Sequence, residues 1–166
     1  MAVSEQKRAT VSLPRDDQLL ITRRFDATPD LVYRAYTTPD LVRRWWCGQR
    51  GEVTTCEIDL RVGGAWRYVL RAHGGFNVAF HGVYREIVPE ARLVSTEVFE
   101  AMPEHEAVCT ASFTGSDGGT VLTLLVQHQT RELRDQHLAS GMEEGMNEAL
   151  DLLEELARPG GPASEQ

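Results

Sequence analysis

The order of hydrophobic and polar residues divides the chain into three parts. Residues 1–17 are polar and are predicted to form a flexible N-terminal arm that can extend the first strand. Residues 18–157 carry strand and helix patterns and form one domain, and residues 158–166 form a short polar C-terminal tail. The segment from Leu19 to Phe25 is rich in strand-forming residues and predicts the first strand of the domain.

An internal repeat predicts two short helices after this strand. The sequence Thr-Pro-Asp-Leu-Val occurs at residues 28–32 and again at residues 38–42. In each copy the threonine suits the N-cap, the proline suits the first helical position, and the aspartate lies near the positive end of the helix dipole. Because Pro39 disfavours helical geometry at Thr38, the first helix should end near Tyr36.

Residues 53–127 have the pattern of an antiparallel meander. About six runs of strand-forming residues are separated by turn residues such as Gly63-Gly64 and Gly118-Gly119. The short connections favour neighbouring antiparallel strands. Alternation in the segment that begins at Ala65 places Trp66 and Tyr68 on the same face of their strand.

The spacing of apolar residues changes from strand-like alternation to a helical repeat in the last part of the domain. From Arg131 to Ala157, apolar residues recur at steps of three and four, which predicts one amphipathic helix of about 25 residues. The whole order of elements indicates an α+β fold, in which a curved antiparallel sheet of about six to seven strands surrounds a long C-terminal helix. Since such an arrangement leaves a gap between sheet and helix, we expect a ligand cavity there.

Aromatic and methionine side chains are the candidates for the walls of this cavity. Aromatic rings can stack on a flat ligand, and methionines adapt to irregular apolar shapes. The candidate ligand-binding residues are Trp45, Trp46, Trp66, Tyr68, Met142 and Met146. Packing in the hydrophobic core would explain the same residues equally well. The interpretation that follows is a protein that binds a small apolar or aromatic molecule.

Signatures of catalysis are mostly missing from the sequence. There is no Gly-x-Ser-x-Gly motif, no phosphate-binding loop, and no second histidine after His105-Glu106 that would complete a zinc-protease motif. A general acid or base in the cavity would be His81 or His137, with Glu86 or Glu97 beside it. A surface or structural role for these histidines is the simpler interpretation, so no catalytic residue is assigned.

Charge and length narrow the classes of partner. The chain has 166 residues, which suits one domain, and a net charge of −8, which weakens the case for binding nucleic acid or anionic membranes. No apolar run approaches the length of a membrane-spanning helix. Residues 1–71 have a net charge of +3 and residues 72–166 a net charge of −11. This asymmetry could orient a protein partner, although a solvated acidic surface explains it more simply.

The cysteines indicate a reducing compartment. Cys47, Cys56 and Cys109 are widely spaced and odd in number, which argues against a disulfide framework and against a tetrahedral metal site. The first twenty residues lack the apolar segment of a secretory signal. A cytoplasmic protein without metal or cofactor is therefore expected.

Three segments carry a family resemblance that extends over residues 19–157. Residues 25–41, continuing to Trp45-Trp46, resemble the start of an activator of heat-shock-chaperone ATPase homology domain, which belongs to the START-like, or SRPBCC, helix-grip superfamily. The turn in Asp59–Arg67 resembles the acidic-x-Arg-x-Gly-Gly turn of that family. Residues 82–94, with Pro89, resemble its next pair of strands.

The resemblance implies a helix-grip fold with a deep pocket beneath the C-terminal helix. It leaves three functions open, because relatives include carriers of hydrophobic ligands, polyketide cyclases and aromatases, and chaperone-associated domains. A chaperone is thus one candidate partner, and a homodimer through an exposed edge strand also stays open. Such domains usually carry Gly-Trp in the last helix, whereas this chain has Gly145-Met146, a change that alters the shape of the pocket more than the fold.

Overall fold

The computed structural model describes residues 8–164, which form an eight-stranded antiparallel sheet and four α-helices. The strands are β1 (Thr10–Ser12), β2 (Gln18–Phe25), β3 (Gly51–Ile58), β4 (Ala65–Ala72), β5 (Asn77–Val88), β6 (Arg92–Phe99), β7 (Glu106–Ser116) and β8 (Gly119–Gln127). The helices are α1 (Pro29–Thr37), α2 (Pro39–Trp45), α3 (Arg131–Ala139) and α4 (Met142–Ala157), and a 3-10 turn follows at Pro162–Ser164.

The strands lie in the order β1-β2-β8-β7-β6-β5-β4-β3. Strands β3 to β8 therefore form the predicted meander, and β2 joins it on the far side of β8. Helix α4 packs against α1 and α2, and the core between the helices and one face of the sheet includes fully buried Phe25, Leu150 and Leu153. This architecture confirms the predicted α+β helix-grip fold, with eight strands where six to seven were expected.

Strand β1 lies within the segment predicted to be a flexible arm. Thr10–Ser12 pairs with β2, with Thr10 opposite Thr22. Ahead of the strand, the buried Ala9 donates its N–H to Asn147 Oδ1 in α4 at 2.8 Å. The described part of residues 1–17 is thus attached to both the sheet and a helix, and residues 1–7 lie outside the described residues.

The two proline-initiated helices form where the repeat predicts them. Helices α1 and α2 begin at Pro29 and Pro39, and α1 ends at Thr37, one residue past the expected end. Neither N-cap threonine caps its helix with a side-chain hydrogen bond. The Thr28 hydroxyl instead donates to the carboxyl group of Asp30, so proline and the helix dipole carry the helix-start signal here.

The single long helix predicted for residues 131–157 is wrong, because the structure divides it into α3 and α4. Gly141 between them has a φ of 80°, a left-handed conformation that glycine adopts without steric cost. The N–H and the hydroxyl of Ser140 both donate to the His137 carbonyl, which ends α3. The apolar period continues across the break, which is why the sequence pattern did not reveal it.

None of the helices in the described part of the chain combines the length and the apolar character needed to cross a lipid bilayer.

Candidate functional site

A cavity of about 1040 Å³ lies between the sheet and the two C-terminal helices. Its walls come from the segment after α2, from strands β4 to β8, and from α3 and α4. The exposed ring of Phe76, in the β4–β5 turn, is part of the lining, so the cavity is open to solvent on that side.

Aromatic rings form the sheet side of the cavity. The centroid of Trp46 lies 5.2 Å from that of Phe80, with the ring planes at 72°. Phe80 stacks on Phe99 of the neighbouring strand, with centroids 5.2 Å apart and planes 25° apart. All three rings line the cavity, which therefore offers a continuous aromatic surface to a flat molecule.

Apolar side chains of α3 and α4 contribute to the helix side of the cavity, and the charged side chain of Arg50 lies against the same helices. Met142 and Met146 of α4 line it together with Leu133 of α3. Gly145, in the same turn of α4, lies so close to the Arg50 side chain that an added Cβ would be 2.9 Å from Arg50 Nε. Arg50 Nη2 also donates to the Gly141 carbonyl at 3.1 Å, so this guanidinium is fixed against the start of α4.

The structure divides the six predicted ligand-binding residues into two groups. Trp46, Met142 and Met146 line the cavity. Trp45, Trp66 and Tyr68 are buried in the hydrophobic core and are absent from the cavity walls. The indole N–H groups of the two core tryptophans donate to backbone carbonyls, Trp45 to Ala35 at 2.9 Å and Trp66 to Thr96 at 3.1 Å. A ligand-binding role for the first group stays a prediction.

One carboxyl group faces the cavity from β6. Glu97 lines the cavity and is half-buried. The Cys109 thiol of β7 donates to Glu97 Oε2 at 3.1 Å. Burial, together with the negative charge and hydrogen bond of Glu97, holds the pKa of this thiol well above its ordinary value. Cys109 is therefore a protonated, weakly donating thiol.

Two histidines close the cavity beside α3. His128, just after β8, and His137 in α3 both line it, and His128 Nε2 lies 3.0 Å from His137 Nδ1. Burial lowers the pKa of both rings; Arg134 adds to the effect at His128, and His128 adds to it at His137. Both rings are therefore neutral at neutral pH.

Of the four residues considered for acid–base chemistry, only His137 and Glu97 face the cavity. His81 is exposed and binds Glu100 through Nδ1 at 2.9 Å. Arg67 binds the same carboxyl group, and these two partners hold the pKa of Glu100 at about 2. Glu86 is exposed and forms an ion pair with Arg92 at 3.5 Å. His81 and Glu86 are thus surface residues.

Within residues 8–164, no three histidine, cysteine, aspartate or glutamate side chains are grouped closely enough to hold a metal ion.

A family model described as "Activator of Hsp90 ATPase homolog 1-like protein" matches residues 26–158. The chain belongs to this family. The match covers both short helices, strands β3 to β8 and both C-terminal helices, which together build every wall of the cavity. No curated protein matches the chain.

Solved structures include proteins that share this family's fold. A protein from Rhodobacter sphaeroides is 28% identical, with a TM-score of 0.83, covering 89% of this chain and 96% of that one. Protein NE0264 from Nitrosomonas europaea is 27% identical, with a TM-score of 0.76, covering 86% and 95%. Protein CV1439 from Chromobacterium violaceum is 25% identical, with a TM-score of 0.75, covering 87% and 99%.

Sequence reasoning missed several residues of the cavity in this member of the activator of Hsp90 ATPase homolog 1-like family. Phe80 has the right residue type, but its position gave no sign that it faces a cavity. His128 and Arg50 lie in loops, where no periodicity assigns a direction to a side chain. For Phe99 a usable signal was present, since it follows Glu97 by two residues on one strand and so lies on the same face.

Proposed function

We propose that the protein binds a small apolar or aromatic molecule in the cavity between its sheet and its C-terminal helices. The observation that carries the proposal is the cavity itself, whose volume of about 1040 Å³ is at the upper end of the range usual for ligand pockets. Its aromatic wall, built from Trp46, Phe80 and Phe99, faces the methionines of α4. A flat ligand between these walls would exchange water for contacts with rings and thioethers.

The expected affinity for a simple probe is modest. For a compound with a ten-carbon aromatic ring system that fits the pocket only in part, the free energy of binding is roughly 0.5 kcal/mol per heavy atom. This corresponds to a dissociation constant of about 0.1 mM. A natural ligand that fills more of the cavity would bind more tightly, because the buried apolar area grows with its size.

Calorimetric titration with 2-naphthalenemethanol tests the proposal. Wild-type protein should bind one molecule, and Met146→Trp, which places the larger side chain usual in the family into the cavity, should weaken binding by about tenfold or more. Val62→Trp is the matched control, since Val62 is 65% exposed and lies outside the cavity lining. Absence of binding to the wild type, or equal binding to both variants, would contradict a cavity site.

An enzyme of the polyketide cyclase or aromatase kind is the alternative function. The observation that favours it is a neutral imidazole, His137, in the same cavity as the carboxyl group of Glu97. Such a pair can accept and return a proton during cyclisation or dehydration. A turnover screen with polyketide-like substrates should then show activity that His137→Gln removes, whereas binding without any turnover favours a carrier.

A chaperone-associated role is the second alternative, and it rests on the family description, which names an activator of the Hsp90 ATPase. A chaperone partner and a homodimer both stay predictions. The three free thiols Cys47, Cys56 and Cys109 support the proposed cytoplasmic location. Capture of a chaperone from the source cell by the wild-type protein, lost at high salt, would support this role, and capture of none would remove it.

A further inference from the structure

We propose that the ligand of this cavity is an aromatic molecule that carries a cationic amine, and that Glu97 binds the amine. This inference rests on the proposed function and adds the chemical class of the ligand. It follows from three features of the structure, which are the hydrogen bonding of Glu97, the rings beside it, and the distribution of the other charges around the cavity.

Glu97 has few partners for a carboxylate that faces an apolar cavity. An ionised carboxylate accepts about four hydrogen bonds. Across residues 8–164, the structure gives Glu97 one side-chain partner, the Cys109 thiol, and no arginine or lysine lies within ion-pair distance of it. A thiol is a weak donor. Most of the hydrogen-bonding capacity of Glu97 is therefore available to a ligand.

The charge of Glu97 affects the buried groups around it. It contributes, after burial, to the raised pKa of the Cys109 thiol and of the Tyr36 phenol. Both neighbours thus stay neutral and leave the negative charge without a counterion from the protein. Since a charge next to apolar surroundings is costly unless it is paired, a cation that enters the cavity gains both an ion pair and hydrogen bonds.

Aromatic rings next to Glu97 favour the same ligand. Phe99 follows Glu97 by two residues on β6 and lies on the same face, where it stacks on Phe80. Trp46 meets Phe80 edge to face in the same wall. The faces of such rings attract an ammonium group, and their area packs against an aromatic body. One wall therefore fits both parts of an aromatic amine.

Arg50 and Glu106 are the other charged side chains that line the cavity among the described residues, and neither offers a cationic ligand a free carboxylate. Arg50, on the helix side, is bonded to the Gly141 carbonyl at 3.1 Å, and Glu106 is paired with Arg85 at 3.3 Å. His128 and His137 are neutral at neutral pH because burial lowers the pKa of both. Arg50 is the charged side chain that an anionic ligand would contact. If Arg50 rather than Glu97 governs recognition, a carboxylate probe should bind more tightly than an amine probe.

Calorimetric titration with three probes that share one ring system tests the inference. They are 2-naphthylmethylamine, 2-naphthalenemethanol and 2-naphthoate. Wild-type protein should bind the amine about tenfold more tightly than the alcohol, and the naphthoate most weakly. In Glu97→Gln the amine and the alcohol should bind within about twofold of each other, while the affinity for the alcohol is retained. The control is Glu86→Gln, which removes the same charge from the outer surface and should leave the preference intact.

Each outcome separates this inference from the proposed function. If the alcohol binds but the amine binds no better, or if naphthoate binds best, the amine site is wrong and the cavity site stands. If no probe binds, both are wrong. If Glu97→Gln does not fold, the three probes are compared on the wild-type protein and on Glu97→Asp, and this comparison tests the amine site. The aspartate variant keeps the negative charge, so it should bind the three probes in the same order of affinity as the wild type.

Discussion

His128 Nε2 lies 3.0 Å from His137 Nδ1, and the two rings meet edge to face with their centroids 5.1 Å apart. This contact joins the end of β8 to α3 in the wall of the cavity. Two neutral imidazoles form it with one shared N–H, whereas two protonated rings would both be donors and would repel each other. The contact therefore couples the attachment of α3 to pH.

Stability should fall in mild acid because of this pair. Burial lowers both folded-state pKa values from the ordinary 6.5, so the unfolded chain takes up protons first as the pH decreases. The two histidines make their full contribution to the free energy of unfolding above about pH 6.5. This contribution is lost as the pH falls towards their folded-state pKa values, by at most about 1.4 kcal/mol per pH unit for each ring. Urea unfolding at about pH 7.5 and about pH 5.5 measures it.

The control is His128→Gln with His137→Gln, which removes both titrating groups and should show a smaller loss of unfolding free energy over the same interval. An equal loss in both proteins would mean that other groups cause the acid sensitivity.

Arg23 is a buried cation that pairs with two carboxylates of α4. It is 2% exposed, contacts Asp151 Oδ1 at 2.6 Å and Glu154 Oε1 at 3.5 Å, and its Nε has no hydrogen-bond partner among the described residues. Replacing both carboxylates, by Asp151→Asn and Glu154→Gln, should cost about 3 kcal/mol of unfolding free energy, because it leaves the guanidinium buried without a counterion.

Adding Arg23→Met to that double variant should recover most of the loss in urea unfolding, since it removes the unpaired charge and keeps an unbranched apolar side chain at this position. Glu86→Gln, at the exposed pair with Arg92, should change the unfolding free energy by less than about 1 kcal/mol. A triple variant as unstable as the double variant would show that Arg23 contributes by packing rather than by charge.

Gly82 sits under the indole of Trp66 where two strands approach closely. A Cβ at this position would lie 1.8 Å from the Thr96 carbonyl oxygen and 2.6 Å from Trp66 Nε1. Gly82→Ala should therefore cost about 3 kcal/mol, because backbone and indole must both move. Gly115→Ala is the matched control in another strand, where the nearest atom is Pro29 Cγ at 3.5 Å. Thermal unfolding should distinguish the two, and equal melting temperatures would refute the close packing at Gly82.

Asn147 holds β1 to α4. Its Oδ1 accepts from the Ala9 N–H, and its Nδ2 donates to the Glu143 carbonyl at 2.9 Å. Asn147→Ala leaves the buried Ala9 N–H unpaired, which should cost about 2 kcal/mol and speed hydrogen exchange in β1. Asn77→Ala, at an exposed position, should do neither. Unchanged exchange in Thr10–Ser12 would show that pairing with β2 alone holds the strand.

The sequence predicts those elements whose signals are local. Pro29 and Pro39 define two helix starts, and alternation with turn glycines defines the meander, so the fold class follows. The break between α3 and α4 is different, because Gly141 is one flexible residue within an uninterrupted apolar period. Strand β1 is also different, because it is next to a contact between Ala9 and Asn147, which are 138 residues apart in the chain and which no local pattern connects.

The sequence pattern also does not predict which side chains line the cavity. Trp45 and Trp46 are neighbours of one residue type, yet the first is buried with its N–H on the Ala35 carbonyl and the second lines the cavity. Which ring faces the core depends on where α2 ends and on the rings of Tyr68 and Phe80 that meet Trp46. Residue type predicts that rings line a pocket, and only the packing of distant strands decides which ones.

The most direct measurement of the central claim is the NMR signal of the methionine methyl groups during titration with 2-naphthalenemethanol. Met102 lines the cavity from the loop between β6 and β7, and Met142 and Met146 line it from α4. If the ligand binds there, their methyl signals shift together and saturate with the dissociation constant found by calorimetry. Methyl signals that stay unchanged while the probe is bound would place the ligand elsewhere and contradict the cavity as the functional site.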